Sequence, residues 1–191
     1  KCFRGCSPAQ IRESLGQAKD QQVPAALAPK QIPASNILIS AEKVVEACDR
    51  LFNSPSSLQW LTDRGITHAM VRHFRLGMGR SVCGQTKLNA ISIPFPADID
   101  GQMFFVKKRV APWLPKEEHP KGYKKWSQYG IPSMVWFTHQ PENPKQTWIL
   151  AGEWDAMMLG WTMRDQSEIA ICTFTTGETN IPKDQSELNK L

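Results

Sequence analysis

No apolar run in this chain approaches the length needed to cross a membrane, and no signal-peptide pattern opens it. A membrane-spanning or secreted protein is therefore not expected; the default is a soluble, intracellular, cytoplasmic one. Cysteine is scarce: five residues, an odd number without regular spacing, argue against a disulfide framework and for reduced thiols. Net negative charge is missing too. The balance is +5 over 191 residues, 41% of them hydrophobic, which suits one domain or two small ones with a real core.

The positive charge is concentrated in one place. Between Gly101 and Gly130 lie Lys107, Lys108, Arg109, Lys116, Lys121, Lys124 and Lys125 against only Glu117 and Glu118, which accounts for the whole excess. Phe104, Phe105, Trp113, Tyr123, Trp126 and Tyr129 are interleaved with these cations. Phosphate neutralisation and ring stacking offered together are what a single-stranded nucleic-acid groove requires. The alternative is a solvated basic face whose aromatics belong to the core.

The second informative stretch is Trp148-Ile149-Leu150-Ala151-Gly152-Glu153-Trp154-Asp155, an apolar run that stops at glycine and delivers two carboxylates one residue apart. It reads as a buried strand, an acidic turn and then a helix through Met157, Met158, Leu159 and Trp161. Glu153 and Asp155 at such a turn can hold divalent ions with positions open to phosphate oxygens. They can equally serve as first-turn acids that complement the positive end of the helix.

The rest is organised by its punctuation. Cys2 and Cys6 in Lys-Cys-Phe-Arg-Gly-Cys resemble half of a zinc knuckle, and a complete site needs further ligands upstream. Residues 21–39, with Pro24, Pro29 and Pro33, are read as an extended linker. Three helices follow: one capped by Ser40 with Val44, Val45, Cys48, Leu51 and Phe52 at helical spacing, one starting at Ser54-Pro55 and ending at Gly65, and a short one opened by Thr67. His68 and His73 on the third are read as structural, having no ligand company. From Ile91 the texture turns to strands, Ile91 to Phe95 and Met103 to Val110, joined at Asp98-Ile99-Asp100-Gly101. That is a plain hairpin turn rather than a metal loop. The fold class expected is α+β.

Leu58-Gln59-Trp60-Leu61-Thr62-Asp63-Arg64-Gly65-Ile66 with Phe74-Arg75-Leu76-Gly77 resembles the helical signature of DnaG-type primases and the related phage-type primase-helicases. Ile93-Pro94-Phe95, Asp100-Gly101 and Lys108-Arg109 are similar to that family's strand-turn-strand. Lys125-Trp126-Ser127 falls where its lysine-containing substrate loop would fall, and Trp148 to Leu159 looks like the first motif of a TOPRIM domain. The resemblance covers nearly the whole chain. It implies that residues 1–20, with Cys2 and Cys6, are the remnant of the family's zinc-binding module, followed by a basic N-terminal subdomain over residues 40–145 and a partial TOPRIM domain over 146–191.

For function, the resemblance implies template-directed synthesis of RNA primers, a nucleotidyl transfer. Single-stranded DNA, nucleoside triphosphates and a replicative helicase, fused or separate, would be the partners. Magnesium or manganese would be the ion at Glu153 and Asp155, with zinc at Cys2 and Cys6 only if the upstream half of that module exists. Lys107, Lys108, Arg109, Lys124, Lys125 and Trp126 become candidates for binding strand or nucleotide. Two departures stand out. Ala151 occupies the position of the family's glutamate, and no Asp-x-Asp pair follows Cys172-Thr173-Phe174, so the chain reads as a fragment and is not expected to make primers alone. Glu153 lies about 6 to 7 Å along the turn from the family's acid. A non-catalytic single-strand-binding module is the alternative, and a TOPRIM nuclease or topoisomerase relative a third reading.

Overall fold

The computed structural model describes residues 38–98, 100–127, 131–177 and 180–191. Cys2, Cys6, Tyr129 and nearly all of the expected linker lie outside the described residues. The described part is mixed α+β, built on two sheets.

The first half follows most of its local signals, although Ser40 and Ser54 stand at their helix N-caps without a side-chain capping hydrogen bond. A short strand β1 (Ile39–Ser40) runs into helix α1 (Ala41–Phe52), which buries Val44, Ala47 and Leu51 while Val45 of the same apolar series faces solvent. Helix α2 (Pro55–Thr62) has proline in its first turn, where the missing N–H costs nothing. Behind it, Gly65 takes the left-handed φ of +80° and donates its N–H to the Thr62 carbonyl at 2.8 Å. Helix α3 (His68–His73) is capped by Thr67, whose Oγ1 accepts the Met70 N–H at 3.3 Å. His68 and His73 make edge-on ring contacts with Phe52 and Trp161, as structural residues do.

Strands then begin earlier than the sequence texture suggests. Strand β2 (Gly77–Cys83) precedes β3 (Thr86–Pro96) and β4 (Met103–Val110), all antiparallel, with β1 and β5 (Trp126–Ser127) sharing the far edge of β4. The signal in β2 is weak because two of its seven residues are glycine. The reason lies in packing: a Cβ on Gly77 would stand 2.7 Å from the Ala47 Cβ of α1. The β3–β4 turn is a hairpin turn, in which the Asp98 carboxylate accepts the N–H groups of Gln102 and Met103 at 2.9 and 3.1 Å.

The second sheet has the order β6-β8-β7, from β6 (Val135–His139), β7 (Gln146–Leu150) and β8 (Ile169–Phe174). Strand β6, from the segment assigned to the basic subdomain, thus belongs to this sheet. Helix α4 (Glu153–Thr162) connects β7 to its parallel neighbour β8, and a last turn, α5 (Gln185–Leu188), follows. The strand expected at Trp148 is present but not buried: β7 is an edge strand, and Trp148 and Ile149 are 42% and 49% exposed. One core cluster joins α1, α2 and α3 to β2, β3 and β4 and reaches Met157 of α4. Among the described residues no helix is long and apolar enough to cross a membrane, and Cys48, Cys83 and Cys172 are free thiols.

Candidate nucleic-acid interface

Strand alternation sorts the basic triplet of β4. Ile91, Ile93 and Phe95 pair across the ladder with Arg109, Lys107 and Phe105, so those residues share the face of the sheet that carries the core. Lys108 pairs with Ser92 and lies on the other face, under α1. The three cations are therefore not one patch, as a reading of Lys107, Lys108 and Arg109 together implies. Phe104 and Phe105 are 3% exposed and belong to the interior, not to a stacking surface.

Helix periodicity decides the acids in the same way. In α4 the buried positions are Glu153, Ala156, Met157 and Gly160, one face at helical spacing, and this turns Glu153 inward while Asp155 stays in solvent. The Lys107 ammonium meets the Glu153 carboxylate there, with only 6% and 5% of the two side chains exposed, and also donates to the Thr175 carbonyl at 3.2 Å. Thr175 follows β8 directly, and its hydroxyl donates to the Pro132 carbonyl at 2.7 Å and accepts the Met134 N–H. The basic strand of the first sheet is thereby fastened to the carboxyl ends of the parallel strands β7 and β8. In open α/β sheets, ligands gather at such strand ends.

Metal binding at this turn finds a poor donor set. The Glu153 carboxylate is occupied by Lys107, Ala151 offers no donor, and Asp155 is the one carboxylate of the turn that faces solvent. Among the described residues no group of three or more His, Cys, Asp or Glu side chains comes together. These residues do not fit a divalent cage, which takes several oxygen ligands.

Tryptophans continue the junction outward. The Lys107 Nζ lies 4.8 Å and the Arg109 Cζ 5.6 Å from the Trp126 ring centroid. Trp126 lies face to face with Trp154 at 6.3 Å and 26°, Trp154 meets Trp60 edge-on at 5.7 Å, and Arg64 covers Trp60 at 3.9 Å. Three half-buried indoles from β5, α4 and α2 thus form a row with a guanidinium at either end. Arg109 is held by the Lys125 carbonyl at 3.0 Å and by the Tyr123 hydroxyl, whose ring stacks on His119. Lys124 and Lys125 are exposed beside it.

Compared with protein-family models, curated proteins and solved structures, this chain gives no match.

Of the candidate residues, the fold brings together Lys107, Arg109, Trp126 and Glu153, keeps Lys124, Lys125 and Asp155 on the surface, and sends Lys108 elsewhere. Trp60, Arg64, Trp154 and Thr175 complete the site, and no sequence motif marks them as functional. Trp60 and Arg64 are four apart on and just after a helix, a spacing at which side chains meet, and Trp154 sits between the two acids.

Proposed function

We propose that this chain is the nucleic-acid-binding core of a DnaG-type primase, holding single-stranded DNA along the Arg109–Trp126–Trp154–Trp60–Arg64 row, and that it does not synthesise primers by itself. The observation that carries the reading is the junction itself: a basic hairpin strand and the acidic turn of a strand-helix-strand unit meet through Lys107–Glu153 and Trp126–Trp154. Cations and rings along one line neutralise phosphates and stack bases without regard to sequence. The family assignment rests on the order of the sequence motifs and is supported, not carried, by the mixed α+β fold.

The second reading, a single-strand-binding module with no catalytic parent, draws its support from the Lys107–Glu153 pair. An acid committed to a buried lysine serves architecture. Both readings require salt-sensitive binding of a labelled oligothymidylate, measured by fluorescence anisotropy. Absence of binding at low salt removes both. They separate when the chain is joined to its neighbouring coding sequence and given template, nucleoside triphosphates and magnesium or manganese. Primer synthesis by the longer protein, with none by this chain, supports the primase reading, and none from either supports the binding module.

A further inference from the structure

On the opposite face of the first sheet, α1 and strands β2 to β4 enclose a cleft of about 530 Å³, within the range of small-ligand sites. Its charged lining is lopsided. Lys43, Arg50 and Lys108 converge on it, Glu46 is the one acid, and Arg80, paired with Asn89 on the core-bearing face, borders it with its backbone. Lys43, Glu46 and Arg50 are three and four residues apart along α1 and so form one rim. Lys108 reaches in from the floor across Gly79, where a Cβ would come 3.4 Å from the lysine Cε.

These cations are oriented by backbone rather than neutralised. The Lys108 Nζ donates to the Arg80 carbonyl at 3.0 Å, and the Arg50 Nε donates to the Met78 carbonyl at 3.4 Å. Glu46 stands 3.7 Å from Arg50 in an exposed pair, and among the described residues no carboxylate pairs with Lys108, Lys43 or Arg80. Each ammonium has three donors and each guanidinium five, so most remain available. Partial burial lowers the pKa of Lys108 below the ordinary lysine value, as for an ammonium that has given up some of its water. The remaining lining is mixed, apolar at Ile39, Ala47 and Val106 and hydroxyl-bearing at Ser92 and Ser127.

We propose that this cleft binds a small organic phosphate of mononucleotide size, with its phosphates on Lys43, Arg50 and Lys108 and its uncharged part against Ile39 and Val106. The site is separate from the tryptophan row, because alternation along β4 puts Lys108 and Arg109 on opposite faces of the sheet. The charge excess selects for anions, and the apolar and hydroxyl groups beside it favour an anion carrying an organic group.

Isothermal titration calorimetry on the full chain tests this with ATP, inorganic triphosphate and adenosine as probes. ATP is expected to bind, triphosphate more weakly and adenosine not measurably. Lys43→Ala, on the exposed rim, and Lys108→Met should each weaken ATP about tenfold, which corresponds to ~1.4 kcal/mol. Trp126→Ala should leave ATP binding unchanged. No saturable ATP binding in the millimolar range, adenosine binding as well as ATP, or affinity unaltered in both lysine variants would overturn the proposal. So would loss of ATP binding in Trp126→Ala or displacement of ATP by a short oligothymidylate, because either result assigns the phosphate to a nucleic-acid strand on the tryptophan row.

Discussion

The Lys107 ammonium is buried against the Glu153 carboxylate, 46 residues away in the chain, and the pair joins the first sheet to the helix of the second by charge. A buried pair is not in itself a large source of stability, because both ions have lost their water. Losing one partner is a different matter. Lys107→Met leaves a buried carboxylate unpaired and is expected to cost about 3 to 5 kcal/mol in urea unfolding. Adding Glu153→Leu to it should return most of that loss. A double variant as unstable as the single one would show that the pair acts through more than charge.

Close approach of α4 to β6 depends on Gly160. A Cβ there would lie 2.4 Å from the Thr138 Oγ1, which is itself fixed by donating to the Ala156 carbonyl at 2.7 Å. Gly160→Ala should therefore destabilise by about 1 to 3 kcal/mol through overpacking, although alanine is the better helix former. Thermal unfolding distinguishes the two, since a rise in melting temperature would mean that propensity wins.

Cys172 gives the fold an alkaline limit. The thiol is fully buried, and burial pushes its pKa from the ordinary 9.0 up to about 11. The folded chain then holds the proton more tightly than the unfolded one, so the contribution of Cys172 is complete below pH 9 and is lost as pH rises towards 11. The stability difference between the natural chain and Cys172→Ala, followed by urea unfolding, should shrink across that window and stay flat between pH 6 and about 8. The same burial should keep iodoacetamide off Cys172 until the protein unfolds, which peptide mass mapping reads directly.

Arg109 and Trp126 should fail in different ways if the tryptophan row holds a strand. Trp126→Ala is expected to cost about 1 to 3 kcal/mol in oligothymidylate affinity at every salt concentration, the effect of one lost stacking partner. Arg109→Ala should lower affinity mainly at low salt and reduce the slope of log affinity against log salt by about one. Equal salt slopes for Arg109→Ala and the natural chain would place phosphate contact elsewhere.

Much of the first half was legible because its signals are local. Pro55 and Gly65 set helix ends through their backbone geometry, and Thr67 and Asp98 close a helix end and a turn with their own side chains. Strand β2 was hidden because Gly77 answers to Ala47, thirty residues earlier, and not to strand propensity. Trp148 misled because an apolar run fixes strand character but not how many neighbours the strand has. The site was half legible. Composition pointed to the basic stretch and the acidic turn, but the partnership of Lys107 with Glu153 needed two periods applied together, two residues on β4 and 3.6 on α4.

The division of labour along β4 makes its register a chemical switch. Inserting one residue at the Asp98–Gly101 turn, with the strand sliding to keep its ladder, would swing Lys108 toward Glu153 and throw Lys107 and Arg109 out beneath α1. Each compartment would then receive the other's cations, and the apolar partners Phe105 and Val110 would turn over with them. The hairpin length thus acts as a gauge, and lengthening it by one residue should damage the molecule far more than substituting any residue within the turn.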